Sequence, residues 1–121
     1  MDVSINEKEE TAIVSVEGRI DAASAQGLDE ALGTAISHGR KKILVNLEKA
    51  VYMSSSGLRV LLGKLKGLRK EEGDMALCSL QPDVYRVFMM AGVHEVFPIY
   101  LNMEDVLAAD KEEQERRDSQ K

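Results

Sequence analysis

The segment from Lys42 to Leu47, Lys-Ile-Leu-Val-Asn-Leu, restricts the fold more than any other feature of the chain. It is a nearly unbroken apolar run, without the alternation of a strand that has one wet face, and is typical of a central strand covered on both faces. A similar run spans residues 75–80. Because such strands need helices packed on the sheet, the pattern predicts an α/β fold.

The remaining patterns supply further strands and the helices. Apolar residues at spacings of three and four predict helices over residues 22–38 and 57–72, with shorter helices from Pro82 and around Met103. The predicted order is β-β-α-β-α-β-α-β-α, so we expect a single domain with a mostly parallel central sheet of about five strands flanked by about four helices. The strands are predicted at residues 2–6, 11–17, 42–47, 75–80 and 96–100.

Single glycine, proline and polar residues predict where some of these elements end and which way they face. Gly18 is expected to end the second strand, and Pro98 places the last strand at a sheet edge. The polar stretch Asn6–Glu10 suggests a hairpin turn, which would make the opening pair antiparallel at one edge. Ala91 is expected to face inward.

Composition narrows the class of protein. The 121 residues suit one domain, expected over residues 1–110, with residues 111–121 as a charged tail or solvated helix end. The single cysteine excludes an internal disulfide framework. There is no signal-peptide pattern and no membrane-spanning run, so we expect a cytoplasmic protein. The net charge of −5 argues against nucleic acid as a direct partner.

Other chemistry-bearing side chains predict structure rather than sites. Cys78 lies in a predicted buried strand and is expected to be a core residue. No carboxylate or cysteine is spaced with His38 or His94 as a metal set, so we expect no metal site and no cofactor. For Met89 and Met90, core packing is favoured over a soft exposed patch.

Functional information is concentrated in Val51–Leu58, Val-Tyr-Met-Ser-Ser-Ser-Gly-Leu. The segment opens an amphipathic helix, so its three serines occupy N-cap and first-turn positions. One interpretation is capping alone. The other is a binding switch, because a helix N-terminus tolerates a phosphate that adds about −1.5 to −2 charges. On a docking surface that charge would repel an acidic partner, or would lose its solvation against an apolar one, while the domain stays folded.

The order of elements, the segment Glu17-Gly18-Arg19-Ile20-Asp21, and Ser55-Ser56-Gly57-Leu58 before a Leu-rich helix resemble the anti-sigma factor antagonists of the STAS family (sulfate transporter and anti-sigma factor antagonist). The resemblance covers essentially residues 2–110. The family's signature is Asp-Ser-Ser/Thr-Gly-Leu at a strand-to-helix junction, and its Asp is Ser54 here.

The resemblance implies which residues act. The family's phosphorylated position falls on Ser56, with Ser55 and Ser54 less favoured, and Asp21 matches the family's acidic residue after the second strand. Asp21 is also suited to cap the following helix, and the two roles are compatible. With Arg59, one turn from Ser56, the candidate partner-binding residues are Asp21, Ser54, Ser55, Ser56 and Gly57.

The resemblance also implies the partners. Family members bind an anti-sigma factor, often a serine kinase of the histidine-kinase-like ATPase type, and thereby free a sigma factor. The kinase phosphorylates the antagonist and a serine phosphatase restores it. The chain would therefore be a kinase substrate and not an enzyme. Formation of a weak homodimer is also possible.

Two other interpretations are open. A STAS-fold subunit of a stress-signalling or lipid-transport assembly would dock constitutively, without phosphorylation of Ser56, and the substitution at Ser54 favours this. A small enzyme that holds a phosphorylated ligand in the serine-rich loop is disfavoured, because no general base is spaced near that loop.

Overall fold

The computed structural model describes residues 1–119, and its elements follow the predicted order. The predicted α/β fold, with five strands and four helices in that range, is confirmed. The strands are β1 (Asp2–Lys8), β2 (Thr11–Ile20), β3 (Lys42–Met53), β4 (Asp74–Cys78) and β5 (Ile99–Tyr100). The helices are α1 (Ala25–Ser37), α2 (Ser55–Lys70), α3 (Pro82–Met90) and α4 (Met103–Ser119).

The five strands form one sheet in the order β1-β2-β3-β4-β5. β1 and β2 are antiparallel at one edge, and every other pair is parallel, as the hairpin and the alternating helices predicted. Val14, Val45 and Leu77 are aligned across β2, β3 and β4, and all three are completely buried. This row places β3 at the centre of the core.

Both faces of the first part of β3, residues 42–47, are covered, as the nearly unbroken apolar run predicted. Val45 belongs to the larger core cluster, which includes Leu28 of α1, Leu61 of α2 and Phe88 of α3. Leu44, the adjacent residue, belongs to a second cluster with Cys78 and Val106. Full burial of a leucine or phenylalanine stabilises the fold by about 1.5–3 kcal/mol. The sheet thus lies between α1, α2 and α3 on one face and α4 on the other.

β2 and β3 run farther than the sequence predicted. Gly18 does not end β2: its φ of +96° and the neighbouring register shifts mark a bulge, after which pairing resumes. β3 continues to Met53, and the extension aligns Tyr52 with Arg19 and Met53 with Ile20. β4 pairs only with the first part of β3, so this extension is a two-stranded projection beyond β4.

The methionines and Ala91 of the α3 segment were predicted wrongly. Met89 and Met90 are 50% and 81% exposed, and Ala91 is also exposed, as the residue that ends α3. The reason is helical geometry, because Val84 and Phe88 at spacing four occupy the buried face of α3. Met89 and Met90 are then turned toward solvent.

The carboxyl-terminal part differs in extent from its prediction. β5 is only two residues long, directly after Pro98, although its predicted position at a sheet edge is confirmed. α4 continues to Ser119 through most of the predicted charged tail, and residues 120–121 lie outside the described residues. Among residues 1–119, no helix combines the length and apolarity needed to cross a membrane.

Candidate functional site

Ser54 caps α2. Its backbone is extended, with φ −91° and ψ 167°, and its Oγ accepts the N–H of Gly57 at 3.2 Å. Ser55 and Ser56 are the first two residues of the helix, and their hydroxyls make no hydrogen bond to other residues in the described part of the chain. The three serines therefore have different roles. Ser54 accepts a hydrogen bond from a free N–H group of the helix, and the hydroxyls of Ser55 and Ser56 are available to other molecules.

The start of α2 favours negative charge. No acidic residue lies in its first turn, and the helix dipole places partial positive charge on the free N–H groups there. Ser55 is exposed and Ser56 is partly exposed, so both can be reached from outside. A phosphate at either hydroxyl would add its charge where the free protein tolerates it.

Two loops meet at this site because neighbouring parallel strands end together. The Ser54 N–H donates to the Ile20 carbonyl at 2.8 Å, which joins the start of α2 to the end of β2. Gly57 is buried against Ile20 and Met53, so the first turn of α2 lies directly on the strand ends. Asp21 follows Ile20 and is therefore brought to the same rim as the serines, although far from them in sequence.

Asp21 was predicted to cap the following helix, but the N-cap residue of α1 is Ser24, and Asp21 instead bonds to Ser24 in the turn before the helix. α1 begins at Ala25, and the Asp21 carboxylate accepts the Ser24 N–H at 3.0 Å while its own N–H donates to Ser24 Oγ at 2.9 Å. These bonds close the turn that leads into α1. The hydrogen bonds from the Ser24 N–H and hydroxyl lower the pKa of Asp21. Asp21 is thus an ionised, positioned side chain at the rim.

Arg59 and Ser56 line one open groove between α1 and α2. The groove is also lined by Asp29 and Lys64, which form an ion pair across it at 3.2 Å. Arg59 is exposed and makes no ion pair among residues 1–119. A free cation therefore lies one helical turn from the Ser56 hydroxyl, where it can contact a phosphate or an acidic partner.

The sequence analysis missed two exposed apolar residues beside the serines. Val51 is 54% exposed and Tyr52 is 39% exposed, and the Arg19 guanidinium stacks 4.3 Å above the centre of the Tyr52 ring. They were missed because β3 was predicted to end at Leu47. The sequence did contain a signal for the longer strand. Ala50–Met53, immediately before the serines, has no charged residue and is more apolar than a typical loop.

The remaining candidates show no catalytic arrangement. Within residues 1–119 no three His, Cys, Asp or Glu side chains converge as metal ligands. Cys78 is buried, as predicted, and burial raises the pKa of its thiol, which keeps it unreactive. His38 is joined to Glu7, with Nδ1 2.8 Å from Oε1, far from the serine loop in the sequence.

Residues 2–106 match the family model of the STAS domain. The chain belongs to the STAS domain family. This confirms the resemblance seen in the sequence. The chain is 34% identical over 99 residues to BtrV of Bordetella bronchiseptica, named as a candidate anti-sigma factor antagonist, across 82% of this chain and 85% of that protein. It is 33% identical over 91 residues to the anti-sigma F factor antagonist of Paenibacillus polymyxa, across 74% and 78% of the two chains.

Solved structures agree with this assignment. An anti-sigma factor antagonist from Mycobacterium paratuberculosis superimposes with a TM-score of 0.81 and 26% identity, covering 89% of this STAS domain protein and 92% of that chain. The fold of the STAS domain is therefore shared across most of both chains. The roles of Asp21, Arg59 and the serines remain predictions.

Proposed function

We propose that the chain is an anti-sigma factor antagonist that docks through the rim around the serines and is switched off by phosphorylation of Ser56. One observation carries the switch: Ser54 alone caps α2, which leaves the Ser56 hydroxyl unbonded at a helix N-terminus without an acidic residue. The names of the relatives support the antagonist role.

The partner is an anti-sigma factor that is itself a serine kinase of the histidine-kinase-like ATPase type. Unmodified, the chain holds this partner and frees a sigma factor, without catalysing a reaction itself. A serine phosphatase returns the phosphorylated chain to its binding form. All of these steps take place in the cytoplasm.

The switch follows from the charge balance at the start of α2. In the free protein, the helix N-terminus and Arg59 offset the charge of a phosphoserine at position 56. In the complex, the same charge would be removed from water and buried against the partner. Burying an unpaired charge carries a large free-energy cost, whereas the charge is solvated in the free protein. Phosphorylation would therefore release the partner and leave the domain folded.

Ser54 does not conflict with this function. Asp and Ser are both strong N-cap residues, so replacing the family's Asp by Ser54 keeps the hydrogen bond that starts α2. What changes is one negative charge beside the acceptor. The chain retains the geometry of the switch and presents a less acidic loop to the kinase.

The deciding experiment is intact-mass analysis after incubation with ATP and the cognate anti-sigma factor, followed by site mapping. One phosphate on Ser56 is expected, with no phosphate on Ser56→Ala and normal modification of Ser55→Ala. A demonstrable complex that never yields a phosphate would contradict the switch and favour the constitutive docking subunit. Absence of a complex would contradict the antagonist function itself.

A further inference from the structure

The extension of β2 and β3 beyond β4 forms a small platform, which consists of Arg19, Val51 and Tyr52. Residues 49–53 of β3 pair with residues 17–20 of β2, and β4 reaches only to Asn46. On one side of this extension Ala50, Met53 and Ile20 are buried in the core. The other side carries the platform, whose apolar members are 54% and 39% exposed.

Two members of the platform already contact each other without a partner. The Arg19 guanidinium lies 4.3 Å from the centre of the Tyr52 ring, a cation–π contact that holds both side chains. Tyr and Arg, together with Trp, are the residue types most enriched among those that dominate binding energy at interfaces. Because their orientation is already restricted, less side-chain entropy is lost when a partner covers them.

The charge of the platform contrasts with that of the chain. The net charge is −5, yet neither Arg19, on the Tyr52 ring, nor Arg59, in the groove with Ser56, makes an ion pair among the described residues. The acidic neighbour Asp21 is hydrogen-bonded to Ser24 and attracts Arg19 only at longer range, and Glu17 lies opposite Lys49 in the strand pairing. A matching surface would present carboxylates to the arginines and an apolar side chain to Tyr52.

The platform is continuous with the serine loop. Only Met53 separates Tyr52 from the N-cap Ser54, and the Ser54 N–H is bonded to Ile20, the neighbour of Arg19. A protein that contacts Ser56 and Asp21 would therefore extend onto Tyr52.

We propose that the Arg19–Tyr52 platform is the anchor of the docking surface, and that it binds an apolar side chain flanked by carboxylates on the anti-sigma factor. The inference rests on the proposed function. It adds which residues contribute most of the binding energy. It also explains why a phosphate nearby is effective, because an acidic partner surface would be repelled by it.

The test is calorimetric titration of the anti-sigma factor into the folded chain and its variants. Tyr52→Ala should weaken binding at least tenfold, and Tyr52→Phe should stay within twofold because the ring that stacks on Arg19 is kept. Arg19→Glu should weaken binding more than Arg19→Ala, since it reverses the charge. Leu101→Ala is the matched control: this residue is 83% exposed, follows β5 at the far edge of the sheet, and should leave affinity unchanged.

The outcomes separate the two proposals. Normal affinity of Tyr52→Ala and Arg19→Glu, beside tight binding by the unaltered chain, would overturn the anchor and leave the antagonist function intact. No binding by the unaltered chain would overturn both. If sedimentation velocity showed that Tyr52→Ala abolishes a dimer while affinity for the anti-sigma factor is unchanged, the platform would belong to a second copy and the inference would be wrong.

Discussion

Gly57 lies so close to Ile20 that a Cβ at position 57 would be 2.7 Å from Ile20 Cγ2, and equally close to Met53 Sδ. The first turn of α2 can approach the strand ends only because residue 57 has no side chain. This close approach sets the position of the serines relative to Asp21. The site is therefore built on a steric requirement of the core.

Gly57→Ala is expected to lower the free energy of unfolding by about 1–3 kcal/mol, because the new methyl group forces buried neighbours to shift. Gly63→Ala is the matched control in the same helix, where a Cβ meets nothing within 4 Å. It should raise stability by up to about 1 kcal/mol through helix propensity. Urea denaturation of both variants measures the difference, and equal stabilities would contradict the tight contact.

Ser54→Ala should lose about 0.5–2 kcal/mol of stability, because the Gly57 N–H loses its acceptor. Ser54→Asp should stay close to the unaltered protein, since aspartate caps equally well. Ser55→Ala should be nearly neutral, because the Ser55 hydroxyl makes no hydrogen bond to another residue in the described part of the chain. Thermal or urea unfolding checks all three, and a neutral Ser54→Ala would show that the cap is not needed.

Leu61→Ala is expected to cost about 2–5 kcal/mol, because Leu61 is completely buried in the larger core cluster. Leu62→Ala should cost less, since Leu62 is only partly buried at the margin of that cluster. The sequence alone placed both leucines on the core stripe of α2. Chemical denaturation of the pair tests the rotation of the helix, and the reverse ranking would mean that the register is wrong.

Ser56→Asp should leave the domain folded and weaken binding to the anti-sigma factor at least tenfold, which corresponds to about 1.4 kcal/mol. The carboxylate imitates part of the charge of a phosphate at the start of α2. Calorimetry gives the affinity, and circular dichroism confirms the fold. Affinity equal to that of the unaltered chain would remove the basis for the switch.

Asp21→Asn tests the charge of the rim through its pH dependence. The pKa of Asp21 is lowered in the folded protein by hydrogen bonds from Ser24, so its ionised form stabilises the fold. That contribution is fully present above the unfolded pKa, near 3.8, and is lost as the pH falls through the lower folded value. The stability advantage over Asp21→Asn should therefore be constant from pH 7 to about 5 and shrink below pH 3.8. A constant difference down to pH 2 would contradict the assignment.

The fold class could be predicted from local patterns because burial imposes them on the sequence. The nearly unbroken apolar run of Lys42–Leu47 indicated a central strand, because a strand covered by helices on both faces has no polar side. The stripes at spacings of three and four located α1 and α2, and the serines before a glycine located the start of α2 within two residues. These features depend on neighbours along the chain.

Only the tertiary structure decided how the rim is assembled. Gly18 was predicted to end β2, yet β2 continues through a bulge to Ile20. The continuation is possible because β3 supplies hydrogen-bond partners for the β2 backbone beyond the irregular residue. That pairing places Arg19 on Tyr52 and joins Ser54 to Ile20, the residue before Asp21. The sequence by itself determined the elements and the family to which the chain belongs. The contacts between residues more than 30 positions apart depend on strand register, which local periodicity does not contain.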